Sequence, residues 1–522
     1  MKDLKQVLVE EIPGFKAKGE AFLKGELSKM DFKKASGGFG VYAHRDGEHF
    51  MIRLRILSGV LGKEQLETIC DLAERYAVPM IHLTTRQAIQ FHGLSLDGIC
   101  KVMEEGLEHN IYTRGAGGNY PRNVAMSPLA GLMEEEAFDV TPYAMAANSY
   151  FLQRIYTYHL PRKLKVSFTC DKEDGSQATV QDMGFVATLK EEKPYFKLYL
   201  GGGLGRNARK SIPVERLLPA EEILYALEAM VQLFVNEGDY DHPQQARVRY
   251  IADRMGDEAF TECFWKHFKE AKMKGGLDFL AEIPKYTKVG KAVSLNHRAI
   301  TPQKQEGLYT YYFHPIGGQL DCKLLRKISN LIAPMPEVHA RLSMGEGLYL
   351  VHLDGEEVQQ VAQALDQDNY LIGIEKTRSC IGVPVCQMGV LESQKALRAI
   401  VDYFEEKGNL KEVLPSIYIS GCPNSCGVHQ IGGIGLTGKK KKINGVLTGV
   451  YDVYMKGQCT LETTRLGELI GEVPEDQLPA FLYELAVKIE AAKQSFDQYI
   501  TDNKAELEQL LNNYLINSAQ VE

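Results

Sequence analysis

The sequence predicts an internally duplicated α+β protein, and three observations carry that prediction. One plan occurs twice, about 260 residues apart: a strand-like run, a helix-like run, a second strand-like run, then Leu-Asp-Gly and a further helical pattern. Thr113-Arg114 is echoed by Thr377-Arg378, and Arg122 and Cys386 each lie nine residues past the Thr, so both pairs are displaced by 264 residues. Each half later enters a glycine-led strand and a Lys-rich hairpin, at Gly184-Phe185-Val186 and at Gly433-Ile434-Gly435.

The elements follow in order. Residues 1–44 read as a charged N-terminal arm without a clear pattern. Phe50–Arg55 and Leu308–Phe313 are the opening strands, and Lys63–Tyr76 and Lys323–Leu331 the helices. Leu83–His92 and Leu342–His352 are the second strands, closed by Leu96–Gly98 and Leu353–Gly355. Leu160-Pro161 and Leu414-Pro415 each open a later strand. If Leu160–Cys170 is extended, its period of two puts Lys163, Lys165 and Ser167 on one face and Leu164, Val166 and Phe168 on the core face. Leu83–His92 as a strand likewise puts Thr84, Arg86, Gln90 and His92 on one face. From Glu475 to Asn517 the period is helical, with Phe481, Leu482, Leu485, Ile489, Leu507, Leu510 and Leu511 as packing residues. The expected divisions are 1–44, 45–110, 111–300, 305–370 and 371–522.

Composition narrows the function. The chain has 522 residues, 44% apolar and 25% charged, with a net charge of −8. Such a balance excludes disorder and fibrous repeats, and the acidic sign argues against nucleic acid as a partner. No apolar run reaches the roughly 20 residues that span a bilayer. The alternating charge at the start is unlike a secretory signal, so a cytoplasmic protein with no membrane partner is expected.

Ten cysteines occur. Cys70, Cys100, Cys170, Cys263, Cys322 and Cys459 are scattered singly, as buried thiols are. The other four form C-x5-C at Cys380 and Cys386 and, after 35 intervening residues, C-x3-C at Cys422 and Cys426. In a reducing compartment two close pairs point to a metal centre rather than disulfides. Zinc favours tight knuckles at both ends, so the wide first pair counts against it. An iron–sulfur cube needs four thiolates converging from loops, and Gly382, Pro384, Gly421, Pro423 and Gly427 supply small loop residues. Four unrelated structural thiols are the bland alternative.

Thr-Arg-Ser-Cys before the first pair and Gly-Cys-Pro-Asn-Ser-Cys-Gly around the second resemble the sirohaem- and [4Fe-4S]-containing sulfite/nitrite reductases. The similarity extends through Thr84-Thr85-Arg86-Gln87, Pro121-Arg122-Asn123-Val124 and Leu160-Pro161-Arg162-Lys163-Leu164-Lys165. It implies a pseudo-twofold architecture of two ferredoxin-like half-repeats (45–110 and 305–370) and two α/β cofactor-binding domains (111–300 and 371–522). It also implies that Cys380, Cys386, Cys422 and Cys426 ligate the cluster, Cys426 bridging to the sirohaem iron, with the cofactor near the pseudo-twofold axis. Arg86 and Arg122 are then the anion-binding arginines, since a guanidinium fork suits an oxyanion. Lys163 and Lys165 combine binding with proton delivery; the alternative for them is a lysine-guarded edge strand. Sirohaem carboxylates need cations and donors, for which Arg53, Arg55, Arg114, Arg206, Arg209, Arg247 and Arg249 are candidates, together with Thr84 and Gln87 beside Arg86. His92 reads as a hydrogen-bonded structural residue.

Gly433 to Gly438 fits GxGxxG, and Gly433 to Lys439 fits GxxxxGK, but Lys440 stands where a P-loop needs Ser or Thr, and Asn444-Gly445 signals a hairpin rather than a helix. Without a flavin or nicotinamide module, the resemblance implies electrons from ferredoxin or a separate flavoprotein, and Lys439 to Lys442 is a candidate dock for an acidic carrier; the alternative is a solvated hairpin tip. The family's nitrite-specific members tend to have Asn where Lys165 stands here. A second ammonium suits the dianion sulfite, so reduction of sulfite to sulfide is expected, with overlapping activity on nitrite. The alternatives are nitrite reduction to ammonia, a precorrin-modifying enzyme, and a non-catalytic iron–sulfur carrier.

Overall fold

The computed structural model describes residues 3–408 and 410–514. It divides into two units: the chain up to Gly203 with Arg209–Phe313 and Gln319–Gln367, and Leu204–Ala208 with His314–Gly318 and the chain from Asp368 on. Among the described residues no helix is long and apolar enough to cross a membrane.

The first unit opens with two helices where an arm is expected, α1 (Leu4–Leu23) and α2 (Lys29–Gly37). Leu8, Ile12, Phe15, Gly19 and Phe22 recur on one face of α1 and are buried. The face packs against the helix that begins at Leu96, so closely that a Cβ on Gly19 would meet Leu96 Cδ1 at 2.4 Å. Ser28 caps α2, accepting the Asp31 N–H at 3.1 Å.

The first half-repeat comprises β1 (Val41–Ala43), β2 (Phe50–Arg55), β3 (Val60–Leu61), α3 (Lys63–Arg75), β4 (Met80–Leu83), β5 (Ala88–Leu94) and α4 (Leu96–Glu108). Its antiparallel order is β1-β2-β5-β4. The run expected as one strand over Leu83–His92 is thus a hairpin. Thr84 Oγ1 accepts the Arg86 and Ala88 N–H groups, and Gln87 adopts φ 51° to close the turn. Thr84 and Arg86 therefore lie on a turn and not on one strand face with Gln90 and His92. A turn closed by a hydroxyl and a left-handed Gln leaves the period-two pattern unbroken in sequence.

Next come β6 (Ala125–Met126), α5 (Thr141–Leu152), β7 (Val166–Thr169), β8 (Met183–Lys190), β9 (Lys193–Leu200), β10 (Ile212–Pro213), β11 (Leu218–Pro219), α6 (Ile223–Glu237), α7 (Val248–Met255) and α8 (Asp257–Lys274). β6, β7 and β8 are parallel and β9 returns antiparallel. Phe168 and Phe185 stack at 4.3 Å in the core, with Phe196 edge-on. The strand expected over Leu160–Cys170 is shorter, because the Lys165 N–H goes to the Asp182 carboxylate instead of a neighbouring strand. The alternation holds nonetheless: Leu164, Val166 and Phe168 are buried.

The second half-repeat contains β12 (Ile300–Pro302), β13 (Leu308–Phe313), β14 (Gln319–Leu320), α9 (Cys322–Ile332), β15 (His339–Leu342), β16 (Leu348–Asp354) and α10 (Gly355–Leu365). Its order, β12-β13-β16-β15, repeats the first. Leu342–His352 is again a hairpin, and Ser343 Oγ takes the part of Thr84 by accepting the Gly345 and Gly347 N–H groups. The repeats exchange short strands: β3 pairs with β15, and β14 with β4.

The second unit holds β17 (Arg378–Ser379), α11 (Ser393–Lys407), β18 (Ile417–Ser420), β19 (Ile434–Ile443), β20 (Val446–Met455), β21 (Gln458–Cys459), β22 (Thr464–Arg465), β23 (Glu468–Pro474), α12 (Leu478–Ala492), α13 (Phe496–Asp502) and α14 (Lys504–Tyr514). β17, β18 and β19 are parallel and β20 antiparallel, the plan of β6 to β9. The β19–β20 turn is Asn444-Gly445, both at positive φ. The C-terminal helices are as expected; residues 515–517 of that expectation lie outside the described residues.

Strand register corrects one equivalence. Ala125 pairs with Ser167 as Arg378 pairs with Tyr418, and the N–H groups of Ser127 and Cys380 bond Phe168 O and Ile419 O. Ser127 therefore corresponds to Cys380, and β7 to β18 with a displacement of 251 residues. Arg122 does not correspond to Cys386, nor Arg114 to Arg378: loops of unequal length shift the two copies out of constant spacing.

Candidate active site: a cation cluster and four thiols

In the first unit, a turn, a loop, an extended run and a helix start bring cations together. Arg86 leaves the β4–β5 turn and donates from Nε to Asn123 O (3.1 Å), Nη1 to Gln181 Oε1 (3.0 Å) and Nη2 to Val166 O (2.8 Å). Arg122 is held by the carbonyls of Gly115, Gly117 and Gly118. Asp182, fully buried, accepts Arg247 Nε and Nη2 at 2.8 to 3.1 Å and the Lys165 backbone N–H at 2.8 Å. The Lys165 ammonium has no hydrogen-bond acceptor among the described residues. Burial pushes its pKa well below the usual 10.5, and Lys163, Arg247 and Arg86 push the same way. Burial also lowers Arg86 to about 9 and Arg122 to about 10, with other guanidiniums contributing. Arg86 and Arg122 stay charged at neutral pH, but at a cost that a bound anion would offset.

The expected cofactor residues divide. Arg247 and Arg249 are buried beside this cluster; Arg249 stacks on Tyr250 at 4.7 Å and is lowered by burial and by Arg247. Arg55 is buried among the carbonyls of Arg114, Pro121 and Arg122, lowered to about 9 by burial and by Arg122. Arg53 donates to Ala116 O at 2.8 Å. Arg114 is instead paired with Glu11 of α1 at 2.9 Å, between the rings of Phe39 and Tyr120. Arg209 pairs with Asp253 and Asp257, and Arg206 is exposed in the second unit. Thr84 serves its turn. Gln87 is fully buried, donating Nε2 to Met126 O (2.9 Å) and Leu342 O (2.7 Å) and accepting the Met126 N–H (2.9 Å).

Sequence reasoning missed Gln181 and Asp182, which lie outside every motif, and Asn123, whose Nδ2 bonds Ile56 O and Gln87 O. It also missed Tyr42. The Tyr42 hydroxyl accepts the Gly118 N–H at 3.0 Å, and Arg122 and Arg53 lower its pKa against burial, which raises it.

The thiol site is wholly in the second unit. Cys380 follows β17, Cys386 lies in the next loop, and Cys422 and Cys426 follow β18. No disulfide joins any of the ten cysteines. Burial raises the Cys380 and Cys422 thiols, Cys422 to about 11, and each is raised further by both Cys386 and Cys426. The four are therefore within electrostatic reach of one another. Among the described residues no group of three or more His, Cys, Asp or Glu side chains is set to hold a metal ion, but an iron–sulfur cube is larger than one ion and takes thiols set wider apart. The cradle fits such a cube: Gly421 N–H donates to Cys380 Sγ at 3.1 Å, and a Cβ on Gly421 would meet Leu391 O at 2.6 Å. Gly382 needs φ 58° and leaves no room for a Cβ beside Ser393 N. In the first copy Ser127, Asp171 and Gly175 stand where Cys380, Cys422 and Cys426 do, and Ser127 Oγ bonds Thr169 and Asp171.

A duplicated α+β chain carrying four gathered thiols and a buried cluster of cations defines a redox protein of the iron–sulfur class that handles anions. Residues 42–109 match the model of the nitrite/sulfite reductase ferredoxin-like half domain, and residues 117–272 that of the nitrite and sulphite reductase 4Fe-4S domain. The second match covers the copy without the cysteines. A ferredoxin–nitrite reductase of Synechococcus elongatus is 27% identical, over 84% of this chain and 86% of its own. The sulfite reductase [NADPH] hemoprotein beta-component of Acidithiobacillus ferrooxidans is 26% identical, over 82% and 79%. The structure of the Mycobacterium tuberculosis NirA protein superposes with a TM-score of 0.77 at 20% identity, covering 96% of each chain. These matches support placing the chain with the sirohaem- and [4Fe-4S]-containing nitrite and sulfite reductases, as an oxidoreductase with that cofactor pair.

Proposed function

We propose that this chain catalyses the six-electron reduction of sulfite to sulfide in the cytoplasm, with electrons from ferredoxin or a separate flavoprotein. The observation that carries the reading is the excess of cations around Asp182: Arg86, Lys163, Lys165 and Arg247, with Arg122 among the cations that lower Arg86. A dianion gains more there than a monoanion, because each ammonium or guanidinium offers a charge-assisted hydrogen bond.

The roles follow from side-chain chemistry. Arg86 and Arg122 bind the oxyanion and neutralise its charge, since each keeps N–H groups beyond those given to carbonyls. Lys163 and Lys165 bind it and give protons to its oxygens; for Lys165, an ammonium with no acceptor among the described residues and a depressed pKa suits that task. Cys380, Cys386, Cys422 and Cys426 would hold the cluster, Cys426 being the exposed thiol of the four. Arg247, Arg249, Arg53 and Arg55 remain candidates for the sirohaem carboxylates. When bound, the cofactor pair would pass the external donor's electrons on to the substrate.

Nitrite reduction to ammonia is the second reading, favoured by the nitrite reductases among the relatives. Anaerobic turnover of the sirohaem-replete enzyme with sulfite and nitrite side by side separates the two. Lys165→Asn is expected to lower kcat/KM for sulfite about tenfold or more and for nitrite much less. A parallel drop in both would defeat the sulfite assignment.

A further inference from the structure

Lys163–Lys165 lies just before β7, where Leu164 pairs with Pro121, donating to Tyr120 O at 3.2 Å and accepting the Arg122 N–H at 2.9 Å. Lys165 itself is held by the entry to β8. Asp182 accepts the Lys165 N–H at 2.8 Å, and Met183 donates to Lys165 O at 3.2 Å, gripping that residue from both sides of its backbone. The same carboxylate takes the Arg247 guanidinium in a two-oxygen grip. Four groups face the Lys165 ammonium: Lys163 from its own run, Arg86 from the β4–β5 turn, Arg247 from the start of α7, and Asp182 from β8. Three are cations and one is an anion.

We propose that Asp182 is the positioning residue of the cation cluster, fixing Lys165 through its backbone N–H and Arg247 through its guanidinium, and setting a negative charge among the gathered cations. The inference rests on the role proposed above for Lys165. Asp182 acts through Lys165 and Arg247 and need not touch the substrate. Burial and the neighbouring cations favour the neutral amine, and Asp182 opposes them.

The test is competitive acetylation of the holoenzyme with acetic anhydride across pH, with the Lys165 peptide read by mass spectrometry. Its midpoint reports the charge state of Lys165 without turnover. Asp182→Asn keeps an oxygen for the Lys165 N–H but removes the charge, so the midpoint should fall by about one pH unit or more. Arg247→Gln removes a cation, and the midpoint should rise. Had Asp182 merely a packing role, loosening would hydrate the ammonium, and both variants would move up towards about 10.4. That result, or an unmoved midpoint in Asp182→Asn, overturns the proposal. Should Asp182→Asn not accumulate, the double variant Asp182→Asn/Arg247→Gln leaves no unpaired guanidinium, and its midpoint should lie about one unit below that of Arg247→Gln alone; equal midpoints overturn the proposal. The basic limb of the pH profile for sulfite turnover should follow the labelling midpoint. A labelling shift with an unmoved profile supports the role of Asp182 and overturns that of Lys165 in turnover.

Discussion

Replacing Lys165 by Met should make the protein more stable and less able to bind sulfite. The ammonium is largely buried, has no acceptor among the described residues and faces Lys163, Arg86 and Arg247. A buried polar group left unsatisfied costs about 1–3 kcal/mol, more if charged; with Asp182 offsetting part, removal should stabilise by about 2 kcal/mol at pH 7. Methionine has similar length and brings no charge. The sign of the pH dependence follows from linkage. The pKa of this base is lower folded than unfolded, so between the two values the unfolded chain binds more protons and stability rises with pH. The penalty in the parent is full below the folded value and gone above about 10.4, so the advantage of the variant should shrink steadily as pH rises to 10. Urea unfolding in sulfite-free buffer measures this, read by the single tryptophan. Trp265 lies in α8 of the same unit, edge-on to Phe264 and Phe268 at 5.2 and 5.1 Å. Sulfite should protect the parent far more than the variant, with affinity differing about 30-fold for a lost charge-assisted bond of about 2 kcal/mol. A variant less stable than the parent at pH 7, or an advantage that stays flat between pH 7 and 10, would refute the reasoning.

Gln87→Ala should destabilise by about 3 kcal/mol in urea, since three buried hydrogen bonds are lost at roughly 1 kcal/mol each, while sulfite affinity of the folded fraction stays unchanged; a selective loss of affinity would return Gln87 to the cofactor residues. Cys380→Ser and Cys422→Ser should each abolish most of the iron per chain and the brown absorbance, whereas Cys170→Ser should leave both intact; full iron content without either thiol would remove the cluster assignment. In the β19–β20 hairpin, Lys439 and Lys441 are paired with Asp452 and Glu472, leaving the exposed Lys440 and Lys442 for a carrier. Reversing both charges should raise the KM for ferredoxin severalfold at low salt and spare dye-driven turnover; unchanged ferredoxin kinetics would dispose of that dock.

Much of this molecule was legible in its sequence because duplication and turn chemistry are local signals. The repeated strand–helix–hairpin plan, the Asn444-Gly445 turn and the four thiols could all be read from spacing. What failed was long-range or masked. The helix α1 hides its apolar stripe among lysines and glutamates. The β4–β5 turn is invisible to a period of two because Thr84 and Gln87 keep the alternation going through it. Arg122 and Cys386 share a sequence offset by coincidence of loop length, which only strand pairing exposes. Arg114 looked like a cofactor ligand by its nearness to Arg122, but Glu11, over 100 residues away, neutralises it. Asp182 stands in a run with no motif, and its importance comes from the cations that the fold gathers around it.

The exchanged strands β3 and β14 bear on how the chain is made. Neither half-repeat completes its own sheet: the last strand of the first is Gln319–Leu320, about 240 residues beyond β4. At a synthesis rate of about 5–20 residues per second, the edge of β4 stays uncovered for roughly 10 to 50 seconds on the ribosome. An open edge of that kind invites pairing with another chain, so the nascent N-terminal half is the stretch in which a chaperone has most to protect. For the same reason, cutting the gene between its two copies would yield two aggregating fragments rather than two working modules.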